Sequence, residues 1–160
     1  MQTVLLVLAG VVVGAVAVAL VMVEVMRRRM VTPLRSPRSF EETCAAVERV
    51  VPGTEGWSFP MEPLDMHAKL SAKGFTPANL RRARSYFICK PAFAQKVLQA
   101  RPEMCAIMPC SWSVYELTDG SVYLAKMNIG MMARMFSGTV GSTMGLVARD
   151  EERFLQQIRG

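Results

Sequence analysis

The chain has 160 residues, 51% of them hydrophobic and 20% charged, and a formal net charge of +6. That length holds one domain and one short extra element, which excludes an enzyme with separate cofactor and substrate domains. A pI near 9.5 suggests a polyanionic partner. However, five arginines (Arg27, Arg28, Arg29, Arg35 and Arg38) crowd residues 27–40, and the chain beyond them is close to neutral.

Residues 4–23 form an unbroken apolar run between Thr3 and Glu24. Twenty residues at about 1.5 Å each span about 30 Å, the thickness of a bilayer's hydrocarbon core. A single transmembrane helix over 3–26 is therefore expected. The competing reading is a cleaved signal peptide, for which Ala17-Val18-Ala19 offers a small-x-small site. Against it, Met1-Gln2-Thr3 carries no basic residue and the run exceeds the usual 7–15 residues. All the flanking arginines lie C-terminal to the run, so the positive-inside bias puts the N-terminus outside and the folded domain in the cytoplasm. Arg27, Arg28 and Arg29 then face lipid headgroups, and the lipid bilayer is the first expected partner. In that reducing compartment Cys44, Cys89, Cys105 and Cys110 are expected as thiols. Gly10 and Gly14 stand one turn apart, where a second helix backbone can approach closely. They suggest a homo-oligomer or a partner membrane subunit.

Residues 27–39, with Pro33 and Pro37 among serines and arginines, read as a basic juxtamembrane linker, and residues 40–160 as the cytoplasmic domain. Ser39-Phe40-Glu41-Glu42 fits a capping box, and Phe40, Cys44, Val47 and Val51 recur at helical spacing until Pro52-Gly53. Trp57-Ser58-Phe59 reads as a short strand. Asp65 caps a helix running to Lys73, and residues 83–89 read as another strand. Pro91 opens a helix carrying Phe93, Val97 and Leu98.

Asp119-Gly120 suits a two-residue hairpin turn. Such a turn places Trp112 opposite Met127, Val114 opposite Ala125 and Cys110 opposite Ile129, all on an apolar face. It puts Ser113 opposite Lys126 and Ser111 opposite Asn128 on a wet one. Residues 131–136 and 146–158 are expected as helices joined by the Gly/Ser/Thr-rich stretch 138–143. These elements define an α+β domain, a two-layer antiparallel sheet with helices on one face, preceded by one transmembrane helix.

No G-x-S-x-G, H-E-x-x-H, G-x-G-x-x-G or G-x-x-x-x-G-K pattern is present. The stretch 138–143 could present backbone donors to an anion but lacks a lysine, so it reads as a connection between helices. His67 is the only histidine, which excludes a multi-histidine metal site, and it reads as a surface or boundary residue. Cys105 and Cys110 are five apart and would point to opposite faces of a strand, unlike a metal-binding C-x-x-C. No metal and no cofactor are therefore expected. Cys89 precedes Lys90-Pro91, where a helix N-terminus and a lysine would favour thiolate, so it reads either as a reactive thiol or as a packed one. Cys110, inward beside Trp112, reads as buried and inert unless Cys89 lies within bridging reach. Of thirteen methionines, Met127, Met131, Met132, Met135 and Met144 crowd the last third. Thioethers are soft ligands, but they also fill cores. Arg81, Arg82 and Arg84 read as a solvated face, so no nucleic-acid partner is expected.

From Cys89 onward the order of features resembles the domain of unknown function family 302. The carrying residues are Cys89-Lys90-Pro91-Ala92-Phe93-Ala94, Met108-Pro109-Cys110, Val114-Tyr115-Glu116 with Asp119-Gly120 and Val122-Tyr123, and Met127-Asn128. Met135-Phe136 and Glu151-Glu152-Arg153 continue the likeness. The resemblance implies a small α+β domain of the TATA-binding-protein fold class, often dimeric, without an established activity. Family members commonly carry Asn where this chain has Lys90. The expected function is a membrane-tethered, non-catalytic binding or accessory module, or a small subunit of a larger membrane complex. The alternative is a thiol-based redox or sulfur-handling protein using Cys89 with Cys110.

Overall fold

The computed structural model describes residues 2–159, with side chains from Gly10 onward. The apolar run lies in helix α1 (Gln2–Arg29). Its segment Gly10–Arg29 is long and apolar enough to cross a membrane, and its apolar window is not buried among the described residues. Then follow β1 (Val31–Arg35), α2 (Phe40–Val50), β2 (Leu64–Asp65), α3 (Met66–Ser71), β3 (Leu80–Ile88), α4 (Pro91–Ala100) and a 3-10 turn (Pro102–Ile107). The chain closes with β4 (Cys110–Leu117), β5 (Val122–Met127), α5 (Ile129–Ala133) and α6 (Gly138–Arg159). The strands form one antiparallel sheet in the order β1-β5-β4-β3-β2.

Local signals predict the helix starts well. Ser39 accepts from the Glu42 backbone N–H while the Glu42 carboxylate accepts from the Ser39 N–H, completing the capping box of α2. Asp65 accepts from Ala68 N–H at 2.8 Å and caps α3. Pro91 stands in the first turn of α4, where its missing N–H costs nothing.

Three expectations are corrected. The segment 27–39 is not simply a linker: its residues 31–35 form the edge strand β1, paired with β5 from Val31↔Met127 to Arg35↔Tyr123. Pro33 is tolerated because an edge strand leaves alternate N–H groups unpaired. Trp57-Ser58-Phe59 contributes only the isolated bridge Ser58↔Cys89. The stretch 138–143 is the start of α6 and not a connector. A Cβ at Gly141 would stand 2.1 Å from the Phe136 carbonyl oxygen, so glycine there serves a close backbone approach and not flexibility.

The hairpin register also differs by one residue. Leu117 N–H bonds to Ser121 O at 2.9 Å, so the loop is Thr118-Asp119-Gly120, and Gly120 takes φ +82°. A three-residue loop with a left-handed third residue is the next commonest hairpin after the two-residue turn. Trp112 therefore faces Lys126, and Val114 faces Leu124. A one-residue slip moves every side chain of one strand to the other face. Lys126 goes to the core side, and Met127 to the side that carries Tyr115 stacked on Tyr123 at 5.3 Å.

α2, α4 and α6 pack together over the face that carries Tyr86, Ile88, Trp112, Val114 and Leu124. Phe154 of α6 stands between Trp57 (5.2 Å) and Trp112 (6.2 Å) at the centre of this core.

Candidate functional site

Where the end of β3 and the start of β4 meet α4, the 3-10 turn, α5 and α6, the core holds a cavity of about 50 Å³ with nearly apolar walls. It has room for a few water-sized groups, far short of the space an organic cofactor fills. Six sulfur side chains line it: Cys89 ending β3, Met104 in the 3-10 turn, Met108 and Cys110 leading into β4, Met132 on α5 and Met144 on α6. Register explains part of this convergence. Ile88 pairs with Cys110 at the end of the β3–β4 ladder, and Cys89 follows directly, bridged to Ser58, so both cysteines reach the same end of the sheet. The Met108-Pro109 peptide is cis.

Lys90 lies at the rim. Its Nζ is 4.8 Å from the centre of the Phe93 ring and 3.8 Å from Asp150 Oδ2. That oxygen also accepts from Trp57 Nε1 at 3.0 Å. The rim thus carries one cation held by an aromatic ring and a carboxylate, above walls with neither imidazole nor carboxylate.

The sequence reads Cys89 either as a thiol activated by the following helix and Lys90 or as a packed one. Burial pushes its thiol above the ordinary value. Cys110 is pushed up to about 12 by burial first, then by Glu151 and Cys89. Both thiols are raised, so each is neutral near pH 7. Exposed Cys105 should therefore alkylate first, with Cys89 and Cys110 far behind. The rate at Cys110 should climb about tenfold per pH unit with no plateau below pH 10, because attack requires thiolate. Site-resolved mass spectrometry of timed alkylation checks this; a plateau at Cys110 near pH 7 would contradict it. Folded-state retention of this proton also makes the domain less stable as pH rises past the ordinary thiol range towards 12. Cys44 lies apart, 2% exposed under α2, where burial also raises its thiol.

The other residues singled out from the sequence fall elsewhere. Gly10 and Gly14 lie on α1, where an added Cβ would meet nothing within 4 Å. Arg27, Arg28 and Arg29 end α1, the first two paired with Glu24 and all three exposed. His67 sits half-buried on α3, away from the cavity. Of the five methionines crowding the last third, only Met132 and Met144 reach the cavity, while Met135 is 60% exposed. The sequence reading missed Met104 altogether and took Met108 only as part of the Met108-Pro109-Cys110 motif. Among the described residues, no cluster of three or more His, Cys, Asp or Glu could hold a metal ion.

The molecule is a mixed α/β protein, a five-stranded antiparallel sheet with helices, preceded by an apolar helix. The same fold occurs in the crystal structure of the uncharacterized conserved protein DUF302 from Bacillus stearothermophilus. Their TM-score is 0.70 at 18% sequence identity, over 81% of this chain and 98% of that one. Residues 33–158 match the Domain of unknown function DUF302, and the chain belongs to that family. No curated protein matches the sequence. The matched range begins inside β1, in agreement with that strand being part of the domain.

Proposed function

We propose that the chain is a membrane-tethered, non-catalytic binding or accessory module whose sheet domain lies in the cytoplasm. On this reading the N-terminus is outside, Arg27–Arg29 sit against anionic headgroups, and Gly10 and Gly14 admit a second helix, from another copy or from a partner subunit. The carrying observation is α1 itself. It is an apolar helix with Val11, Val12, Val13, Val18, Leu20 and Val21 each more than 60% exposed, which water would not tolerate and a bilayer would cover. Only Met30 separates the helix from β1, so the domain is held close to the helix end. The cavity is the ligand site of this module. Likeness to the TATA-binding-protein fold class belongs to the same reading.

A redox role for Cys89 and Cys110 draws on both lining the cavity, but it needs a free thiolate to attack near neutral pH with no metal to displace the proton, and burial raises both thiols. The binding reading is therefore preferred.

The test is fractionation with site-specific labelling. The chain should stay with membranes through alkaline carbonate washing, and exposed Cys105 should react with a membrane-impermeant maleimide only after the cells are opened. A mature chain starting near Leu20 in a soluble fraction, or labelling of Cys105 from outside intact cells, would overturn the reading.

A further inference from the structure

Resting on the reading of the cavity as the ligand site, we propose that it binds one soft monovalent metal ion of the copper(I) class. Cys89 and Cys110 would be its thiolate ligands, with thioethers from the surrounding methionines completing the site. Three observations carry this. The donor set comes first. The cavity walls supply two thiols and four thioethers and neither a carboxylate nor an imidazole. Hard, strongly hydrated cations demand oxygen ligands, whereas thiolate and thioether donors select copper(I) and its congener silver(I). Geometry comes second. The six sulfur-bearing residues come from separate segments, between β3 and α6, and all line one space of about 50 Å³. Methionine used purely as filler closes such space, because flexible thioethers adapt to gaps. Here the gap persists, at a size suited to a bare ion and too small for an organic ligand. Cys89, Met108 and Met132 are only half-buried, so an ion can reach the donors.

Charge supplies the third observation. Binding releases one proton from each thiol to solvent and forms two metal–sulfur bonds, with no electron transferred. A monovalent ion between two thiolates carries a net charge of −1, which an apolar pocket would penalise. Lys90 is the cation at the rim, its ammonium over Phe93 and 3.8 Å from Asp150, and it offsets that charge only so far as Asp150 leaves it free.

The experiment uses the full-length chain in detergent, without oxygen, and copper(I) as the probe in competition with a chromogenic copper(I) chelator. One ion per chain is expected, read by native mass spectrometry. Cys89→Ser and Cys110→Ser should each weaken binding about a hundredfold, and Met132→Leu about tenfold, taking loss of a ligand to cost at least as much as loss of an outer-sphere partner. Cys105→Ser should bind as the parent does, because Cys105 is exposed and does not line the cavity. Near-UV circular dichroism confirms that each variant is folded. A second measurement needs no variant: copper(I) should protect Cys89 and Cys110 from alkylation at pH 9 while Cys105 still reacts. Undiminished binding in the Cys89→Ser/Cys110→Ser double variant, or protection of Cys105 alone, would overturn the proposal. A chain that stays in the membrane and ignores copper(I) would refute the metal and leave the membrane-tethered module standing. A soluble chain that binds copper(I) would do the reverse.

Discussion

Glu151→Ala is expected to destabilise the domain by about 3–5 kcal/mol, a large share of the roughly 5–15 kcal/mol that holds a domain folded. Glu151 is completely buried on α6. One carboxylate oxygen accepts from Trp112 Nε1 at 2.9 Å and the other from Lys126 Nζ at 2.8 Å. The lysine side chain is itself only 11% exposed. Alanine removes both acceptors at once, leaving an indole N–H and an ammonium in the core without partners, which costs far more than the pair contributes. Replacing both charged partners, Glu151→Leu with Lys126→Met, should recover part of the loss, because the ammonium is no longer stranded and only the Trp112 indole N–H is left without its acceptor. Denaturant unfolding of the parent and the two variants checks this. Equal loss in the single and double variants would show that the helix contact matters and the buried pair does not.

The same residue sets a pH dependence. Burial raises the Glu151 carboxyl above its ordinary 4.5, outweighing the opposing pull of Lys126 and Trp112. The folded state therefore holds this proton more tightly than the unfolded chain does. Its contribution is complete below pH 4.5 and is lost as pH rises through the folded value. Glu151→Gln should flatten that part of the stability profile.

A fragment cut at Phe40, the start of the domain as the sequence suggests it, is expected to self-associate and to melt at least about 10 °C below a fragment starting at Met30. The shorter piece lacks β1 and its five residue pairs with β5. It also lacks the Ser36 N–H bond to Val122 O at 2.9 Å and the Ser36–Thr43 hydroxyl bond at 2.7 Å. Thr43 is fully buried, and its hydroxyl would lose the Ser39 carbonyl as well. β5 would become an uncovered edge of Val122, Tyr123, Leu124 and Ala125, a ready template for another chain. Size-exclusion chromatography and thermal melts of the two fragments decide the matter, and identical behaviour would reduce β1 to a tether.

What the sequence by itself determined about this protein is whatever a few neighbouring residues decide. Ser39 and Glu42 cap each other across three positions, Asp65 reaches Ala68, and Pro91 needs only its own ring. The apolar helix is legible because its physics is a matter of length and composition. The antiparallel pairing of β4 and β5 is equally local, and so the α+β class could be read directly.

Tertiary structure decided the rest, because the deciding contacts join distant residues. One extra residue in the loop at Thr118 moves Lys126 from the wet face to Glu151, and the identity of the turn residues does not distinguish a two-residue from a three-residue loop. β1 hides among prolines because its strand character comes from β5, some ninety residues away, and from no pattern of its own. The cavity is the extreme case. Cys89 and Cys110 form no metal-binding spacing along the chain, and Met104, Met108, Met132 and Met144 each look like core filler. Only the β3–β4 ladder and the packing of α5 and α6 bring these six scattered residues to the walls of one cavity.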